Sequence, residues 1–317
     1  MNLKQYLIIG LLVVSVVLPY KGYSQARAMG LLRFDVTLKE AHIGNLEIDT
    51  KLLDSYELLP ENERQFYLDA RKIFSTRQTN FIDPQIIESA RRNNITLISG
   101  PLLGDLQSDG INLCLRPSTT KRLKIQVLGS NGEKLKKYTL KPKVPGQEQR
   151  LEVNGLLPNT NYNFEVFAKK EKLATGSFRT APESDQKEQV RITFSSGFHK
   201  IGVHNPNLIN TILKRAPQAM LLTGDLAVDD RENDFSMHRS DYLLRDIAKP
   251  WKKLASNTAL YATWDDHDYI NNDLAGVPER FTNADRDELR KLWRENWNNP
   301  PNEAEGLYFN SRIGKVE

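Results

Sequence analysis

Two short stretches rich in aspartate stand out because their residue types could bind metal. Thr223–Asp230 reads TGDLAVDD, and Thr263–Asp268 reads TWDDHD. Aspartate oxygens suit Ca²⁺ and Mg²⁺, and an adjacent histidine favours transition metals. Carboxylates this close repel one another, so a bound cation would relieve that repulsion. The alternative is that both stretches are ordinary solvated turns, as most Asp-rich loops are.

Each stretch follows a short apolar run of the kind that forms a buried parallel strand, at Ala219–Thr223 and Ala259–Thr263. Strands and helices alternate from residue 189 onward, which predicts an α/β region with ligands at the carboxyl ends of its strands. The other elements predicted here are a strand at Val190–Phe194 and helices at Leu208–Lys214, Tyr242–Leu254 with a boundary at Pro250, and Arg286–Trp297.

Residues 94–182 have a hydrophobic period of two, which predicts an all-β sandwich. Gly155–Tyr162 resembles the E–F corner of a fibronectin type III or immunoglobulin-like domain, in which the Tyr162 hydroxyl returns to the backbone. The predicted strands are Ile111–Arg116, Leu123–Val127, Leu151–Val153, Tyr162–Val166 and Gly176–Pro182.

Residues 27–93 are predicted to form a small helical extension that carries no chemical motif. Glu61–Ile73 has the apolar spacing of a surface helix. Asp83 is the predicted N-cap of a second helix, with Pro84 in its first turn.

The first 26 residues have the features of a secretory signal peptide. Lys4 precedes an apolar run at Tyr6–Leu18, and Ser24–Ala26 has the small residues of a cleavage site. Because a membrane span needs about 20 apolar residues, this shorter run favours cleavage over an uncleaved anchor. We therefore expect Sec-type export to the periplasm or the medium, with no membrane span after cleavage.

The composition limits the kinds of site that the chain can build. The chain has 317 residues, 39% hydrophobic and 26% charged, as expected for a globular protein of about two domains. A formal net charge of +4 is too small to predict nucleic-acid binding. The single cysteine, Cys114, excludes an intrachain disulfide and a zinc site of two or more thiolates. The five histidines leave a nitrogen and oxygen site as the metal chemistry available.

Tyr261–Tyr269, followed by Asn271–Asp273, resembles the signature of the PhoD-like alkaline phosphatases of the calcineurin-like metallophosphatase superfamily. The resemblance implies an α/β metallophosphatase domain at 189–317, preceded by the β-sandwich. It also implies hydrolysis of phosphate mono- or diesters at a divalent or multinuclear metal centre of calcium, zinc, manganese or iron.

The resemblance further implies roles for individual residues. Asp225 matches the aspartate that bridges metals, Asp266 a metal ligand that is usually asparagine, and His267 the histidine that binds phosphoryl oxygens or protonates the leaving group. Asp265 is expected to assist the metal site.

Two positions depart from the family pattern, which disfavours an iron–thiolate or iron–phenolate centre. Gly197 and Val228 stand where the family has cysteine and tyrosine ligands. His199 is the candidate replacement ligand, and His204 is expected to be an ordinary surface histidine.

The C-terminal stretch Gly306–Glu317 has the pattern of a hairpin that the family continues. No histidine follows His267, although the superfamily's later ligands are histidines. We therefore expect a C-terminally truncated copy with an incomplete active site. The alternative is an exported, non-catalytic binding protein or decayed enzyme that uses its β-sandwich for interactions.

Overall fold

The computed structural model describes residues 36–56, 58–302 and 306–317, so the predicted signal peptide at 1–26 lies outside the described residues. Within these ranges the chain is a mixed α and β protein with two antiparallel sheets and one parallel sheet. This agrees with the mixed class that the sequence predicts. In the described ranges, no helix has both the length and the apolar character needed to cross a membrane.

In the described part of the chain, four helices precede the first strand. The helix predicted at Glu61–Ile73 forms, but Phe66 is buried, so only part of this helix faces solvent. Asp83 caps the fourth helix as predicted, since its carboxylate accepts a hydrogen bond from the Gln85 amide at 2.8 Å. The four helices are α1 (Leu38–Ile43), α2 (Leu46–Ser55), α3 (Glu61–Phe74) and α4 (Pro84–Arg92).

Seven strands follow and form two antiparallel sheets. Alternate residues such as Ile125 and Phe164 are buried between the sheets, as the period of two predicts. The Tyr162 hydroxyl accepts a hydrogen bond from the Leu157 amide at 2.9 Å, which confirms the predicted tyrosine corner. The sheet orders are β1-β2-β5 and β4-β3-β6-β7, for strands β1 (Leu97–Gly104), β2 (Ile111–Pro117), β3 (Leu123–Gly129), β4 (Lys134–Leu140), β5 (Gln149–Val153), β6 (Asn161–Ala168) and β7 (Glu171–Arg179).

The rest of the chain forms the parallel sheet and its helices. The strands predicted at Ala219–Thr223 and Ala259–Thr263 are confirmed, and the predicted helix at Tyr242–Leu254 is two helices that meet next to Pro250. The elements are β8 (Ile192–Ser195), α5 (His199–Val203), α6 (Pro206–Lys214), β9 (Ala219–Thr223), α7 (Phe235–Ile247), α8 (Lys249–Ala255), β10 (Ala259–Thr263), α9 (Asp266–Tyr269) and α10 (Asn283–Asn296).

The parallel sheet has the order β10-β9-β8, and its two faces are covered to different extents. On one face, Met220, Leu222 and Leu260 belong to a core shared with α7, α8 and α10. On the other face, Ala219 and Tyr261 belong to the core of the β-sandwich, but Leu221 is 40% exposed and Phe194 is 81% exposed. The in-register pairing of β9 with β10 places their carboxyl ends next to each other, so the loops that follow them begin side by side.

The C-terminal stretch Gly306–Glu317 forms a minimal version of the predicted hairpin start. In the part that the structure describes, Ile313 and Val316 form an isolated antiparallel bridge, with reciprocal backbone hydrogen bonds of 2.8 Å and 3.1 Å. Before this turn, the stretch packs against the sheet, with the Phe309 ring stacked on Tyr261 at 6.0 Å between centroids. The described chain therefore holds this stretch by one bridge and by apolar contact with the sheet.

Candidate metal centre

The two Asp-rich loops meet at the carboxyl edge of the parallel sheet. Thr223 and Thr263 are aligned neighbours at the ends of β9 and β10. As a result, Asp225, Asp266 and His267 each place a ligand atom within 4.8 Å of the other two. The structure thus brings together three residues that the sequence analysis singled out.

Gly224 allows the two loops to approach this closely. Its φ of +93° is a conformation that other residues rarely adopt, and a Cβ atom here would clash with the Cβ of Asp265. Asp225 also has a left-handed φ, of 53°. Its carbonyl accepts a hydrogen bond from the His199 amide at 2.8 Å, which ties the start of α5 to this loop.

Asp266 is held as an anion by backbone amides. Its carboxylate accepts hydrogen bonds from the amides of His267 at 3.0 Å and Asp273 at 2.6 Å. Burial alone would raise the pKa of Asp266, but these hydrogen bonds outweigh it and lower the pKa. By contrast, burial and the nearby carboxylates raise the pKa of Asp225, despite the opposing effect of His267. A cation between these carboxylates would relieve the repulsion.

The His267 ring is oriented by Asp230, whose carboxylate oxygen lies 2.7 Å from Nδ1. Burial alone would lower the pKa of His267. The hydrogen bond and charge of Asp230, together with the charges of Asp225 and Asp266, outweigh burial and raise the pKa. Asp230, Asp225 and Asp266 therefore make the ring more basic than an ordinary histidine.

The other two acids of the TWDDHD stretch, Asp265 and Asp268, accept hydrogen bonds from backbone amides. Asp265 is the N-cap of α9, and its Oδ1 accepts a hydrogen bond from the Asp266 amide at 3.0 Å. Asp265 is absent from the convergent ligand groups found among the described residues. Asp268 is buried and accepts hydrogen bonds from the amides of Leu226 at 3.0 Å and Ala227 at 3.4 Å, so it fastens one loop to the other. Sequence reasoning gave Asp268 no such role.

Two further imidazoles lie beside His267. His199, the candidate replacement ligand, places Nε2 at 3.9 Å from Oδ2 of Asp225. His42 of α1 stacks on His267 at 4.2 Å between ring centroids and meets His199 edge-to-face at 4.6 Å. Sequence reasoning missed His42, because a lone histidine in a short helix forms no motif with residues far along the chain.

The remaining two histidines are outside this group. His204 is buried with 5% exposure, so the expectation of a surface histidine is wrong. Burial lowers the pKa of His204 to about 4. His238 is also buried, and its Nε2 lies 2.9 Å from the Glu232 carbonyl oxygen. Neither residue belongs to the convergent ligand groups of the described chain.

A buried charge network lies beneath the histidines. The Lys200 ammonium pairs with the carboxylates of Asp241 at 2.8 Å and Asp49 at 3.5 Å, and it also contacts Asp229. Arg71 pairs with Asp49 at 2.6 Å, and Arg231 pairs with Asp241. Three cationic and three anionic side chains thus balance one another: Lys200, Arg71 and Arg231 with Asp49, Asp229 and Asp241.

The donor atoms present fit a metal ion. Among the described residues, Nδ1 of His42, Nδ1 of His199 and Oδ1 of Asp225 are buried and have no hydrogen-bond partner. Buried polar atoms are normally paired, so unpaired nitrogen and oxygen atoms at a convergent site are candidates for metal ligands. Asp225 and Asp266 thus supply carboxylate oxygens for a divalent cation, and imidazole nitrogens lie beside them.

No protein-family model and no curated protein matches this sequence. Two fibronectin type III structures, the central array of RIM-binding protein and the FN5 domain of Drosophila Lar, match at 24% and 22% identity. They cover 29% and 25% of this chain, and 32% and 88% of their own. Their TM-scores of 0.20 are too low to support an argument.

The solved structure of PhoD matches with a TM-score of 0.52 at 18% identity, over 61% of this chain and 44% of the PhoD chain. The match therefore spans less than half of the length of PhoD. At this identity the likeness concerns the fold alone, and on that evidence the chain is similar in fold to part of PhoD.

Proposed function

We propose that this protein hydrolyses phosphate mono- or diesters at a divalent metal centre whose ligands include Asp225 and Asp266. The observation that carries the proposal is the convergence of Asp225, Asp266 and His267 at the carboxyl edge of the parallel sheet. The partial likeness in fold to PhoD supports phosphate esters as the substrate class. The non-catalytic alternative has no comparable observation in its favour.

Each residue has a distinct task in this proposal. A bound divalent cation supplies Lewis acidity and acidifies a water molecule. Asp225 lies near both His199 and the second loop, with Oδ2 at 3.9 Å from Nε2 of His199 and one ligand atom within 4.8 Å of Asp266 and His267. Asp266 remains anionic because two backbone amides hold it. His267, which Asp230 orients, is placed to donate a proton to the leaving oxygen of the ester.

The test measures hydrolysis of p-nitrophenyl phosphate and bis-p-nitrophenyl phosphate after loading with calcium, zinc, manganese or iron. We expect His267→Gln to lower kcat by about 10²–10⁴-fold, because general acid catalysis contributes that much. Asp225→Asn should lower both metal content and turnover. The control Asp287→Asn changes an exposed carboxylate on α10 and should leave turnover unchanged. Turnover by His267→Gln within twofold of the parent protein would exclude the proposed role.

We also propose that the protein acts after export, with the N-terminal 26 residues removed. The basis is the sequence pattern of that segment. N-terminal sequencing of protein from the periplasm or medium should find a chain that starts after Ala26. A chain that retains Met1–Ala26 in that fraction would contradict cleavage.

A further inference from the structure

We propose that His42, His199 and Asp229 form a second cation site for a divalent transition metal, beside Asp225 and Asp266. One ligand atom from each residue lies within 4.8 Å of the other two. The three residues come from α1, α5 and the loop after β9, so only the folded chain brings them together. The inference relies on the proposed metal centre for its location and not on catalysis, since cation binding is measurable without turnover.

Each of the three residues has a buried polar atom that lacks a hydrogen-bond partner. Nδ1 of His42, Nδ1 of His199 and Oδ1 of Asp229 have no hydrogen-bond partner among the described residues. His199 is 7% exposed and Asp229 is 1% exposed, so bulk water does not satisfy these groups. Burying polar atoms without partners is costly. One cation would satisfy all three residues.

The separation of His42 and Asp229 fits a cation between them better than a direct bond. Nδ1 of His42 lies 3.8 Å from Oδ1 of Asp229, which is too far for a hydrogen bond. Two atoms that each bind one tetrahedral zinc ion at about 2.0–2.1 Å lie roughly 3.4 Å apart. A movement of less than half an ångström would therefore bring this pair of atoms to the separation that a shared zinc ion requires.

The charge network fixes Asp229 for this role. Its Oδ2 contacts the Lys200 ammonium, which leaves Oδ1 facing His42. Because Arg71 and Arg231 also pair with Asp49 and Asp241, the network as a whole is neutral. What Asp229 offers a cation is therefore its Oδ1, a buried carboxylate oxygen that has no hydrogen-bond partner among the described residues.

Two arginines of the same network hold the C-terminal end of α1 by hydrogen bonds, and this contact positions His42. The carbonyl of Gly44, the C-cap of α1, accepts hydrogen bonds from Arg231 at 2.8 Å and Arg71 at 3.0 Å. Gly44 has a φ of 55°, and a Cβ atom there would clash with the Arg231 guanidinium. His42 thus enters the site from a segment outside the α/β region.

The donor types select the metal. Two imidazole nitrogens and one carboxylate oxygen suit zinc, cobalt or nickel, whereas calcium and magnesium prefer sites made of oxygen atoms. The Asp225 and Asp266 pair offers oxygen atoms, so the two neighbouring sites differ in preference. We therefore expect zinc to occupy the site of His42 even when calcium is in large excess.

The first test is a zinc titration of the full chain, followed through ¹H–¹⁵N correlations of the histidine rings. The ring signals of His42 and His199 should shift until the site is full and return after chelation. His204 and His238 are internal controls, because both are buried away from the convergent groups and their signals should not move. An unshifted His42 ring at two equivalents of zinc would overturn the inference.

The second test counts bound zinc in variants. The His42→Gln protein should bind one zinc equivalent instead of two, or bind the second zinc ion about 10–100-fold more weakly. The control, Lys39→Gln, changes an exposed residue on the same helix and should retain both zinc ions. Asp266→Asn should instead weaken the other site and leave the zinc-induced shift of His42 intact. If esters are not hydrolysed while His42 still responds to zinc, the proposed function fails and the second site stands. If esters are hydrolysed while His42→Gln retains both zinc ions, the second site fails and the proposed function stands.

Discussion

The Lys200→Met substitution removes a buried ammonium that holds three carboxylates together. Lys200, Asp49, Asp229 and Asp241 all have fully buried side chains, so water does not screen their charges. Two guanidiniums still pair with Asp49 and Asp241 in the variant. The uncompensated charge therefore falls on Asp229.

The expected loss is large relative to the stability of a domain. Removing one partner of a buried ion pair costs about 3–5 kcal/mol, while the whole free energy of unfolding is typically about 5–15 kcal/mol. We expect Lys200→Met to lower the free energy of unfolding by about 3–5 kcal/mol at pH 8. Adding Asp229→Asn to the variant removes the unpaired charge and should recover part of that loss.

The assay is urea unfolding, followed by tryptophan fluorescence and far-ultraviolet circular dichroism and extrapolated linearly to water. Lys252→Met is the matched control. Its ammonium lies 2.7 Å from Glu63 but is 38% exposed, so its loss should cost no more than about 1 kcal/mol. A loss in Lys200→Met no larger than that in Lys252→Met would refute the reasoning.

The pH dependence of the variant provides a second check. Burial raises the pKa of Asp229, and Lys200 opposes that rise. Without Lys200, the folded chain binds a proton at Asp229 more readily than the unfolded chain does. The stability of the variant should therefore increase as the pH falls from 8 to 6, and its deficit relative to the parent protein should narrow.

Three other predictions concern the sandwich, the site loop and a buried histidine. Tyr162→Phe removes the acceptor of the Leu157 amide, and urea unfolding should show a loss of about 1–3 kcal/mol; an unchanged midpoint would contradict it. Gly224→Ala forces a Cβ atom against Asp265, so calorimetry should show weaker binding of divalent cations. Unaltered affinity would show that the two loops can move apart without disturbing the site. Burial lowers the pKa of His238 to about 4, against about 6.5 in the unfolded chain. The fold therefore has its full stability with respect to this group above pH 6.5, where the ring is neutral in both the folded and the unfolded chain. As the pH falls towards 4, the free energy of unfolding decreases by about 3 kcal/mol, because the unfolded chain binds the proton more readily. Urea unfolding between pH 7 and 4.5 should therefore show a flatter pH profile for His238→Gln, and parallel profiles would contradict the assignment.

Local patterns in the sequence were enough to predict much of the fold. The alternation of apolar residues predicts the sandwich strands, and the apolar run at Ala219–Thr223 predicts a parallel strand, which the structure places in the centre of its sheet. Asp83 and Pro84 predict a helix start because capping depends on neighbouring residues alone. Asp225 and Asp266 could be named together because each follows the end of a strand, and the carboxyl ends of parallel strands meet at one edge of a sheet.

Patterns that depend on distant partners were not predictable in the same way. In Gly306–Glu317, the predicted hairpin start is reduced to the Ile313–Val316 bridge, and the Phe309 ring stacks on Tyr261 of the parallel sheet. Lys200 has the appearance of a surface lysine, and its burial depends on carboxylates from three other parts of the chain. Pairing and burial of this kind are decided by the packed fold.

The sequence by itself determined which residues could bind a cation in the two strand-end loops, because residue type and a preceding apolar strand are local properties. Only the tertiary structure decided that His42 joins His199 and His267, and that Asp265 and Asp268 hold backbone amides. The physical reason is that side-chain direction depends on packing between elements far apart along the chain. A histidine in a short helix therefore acquires a neighbouring site only when that helix docks.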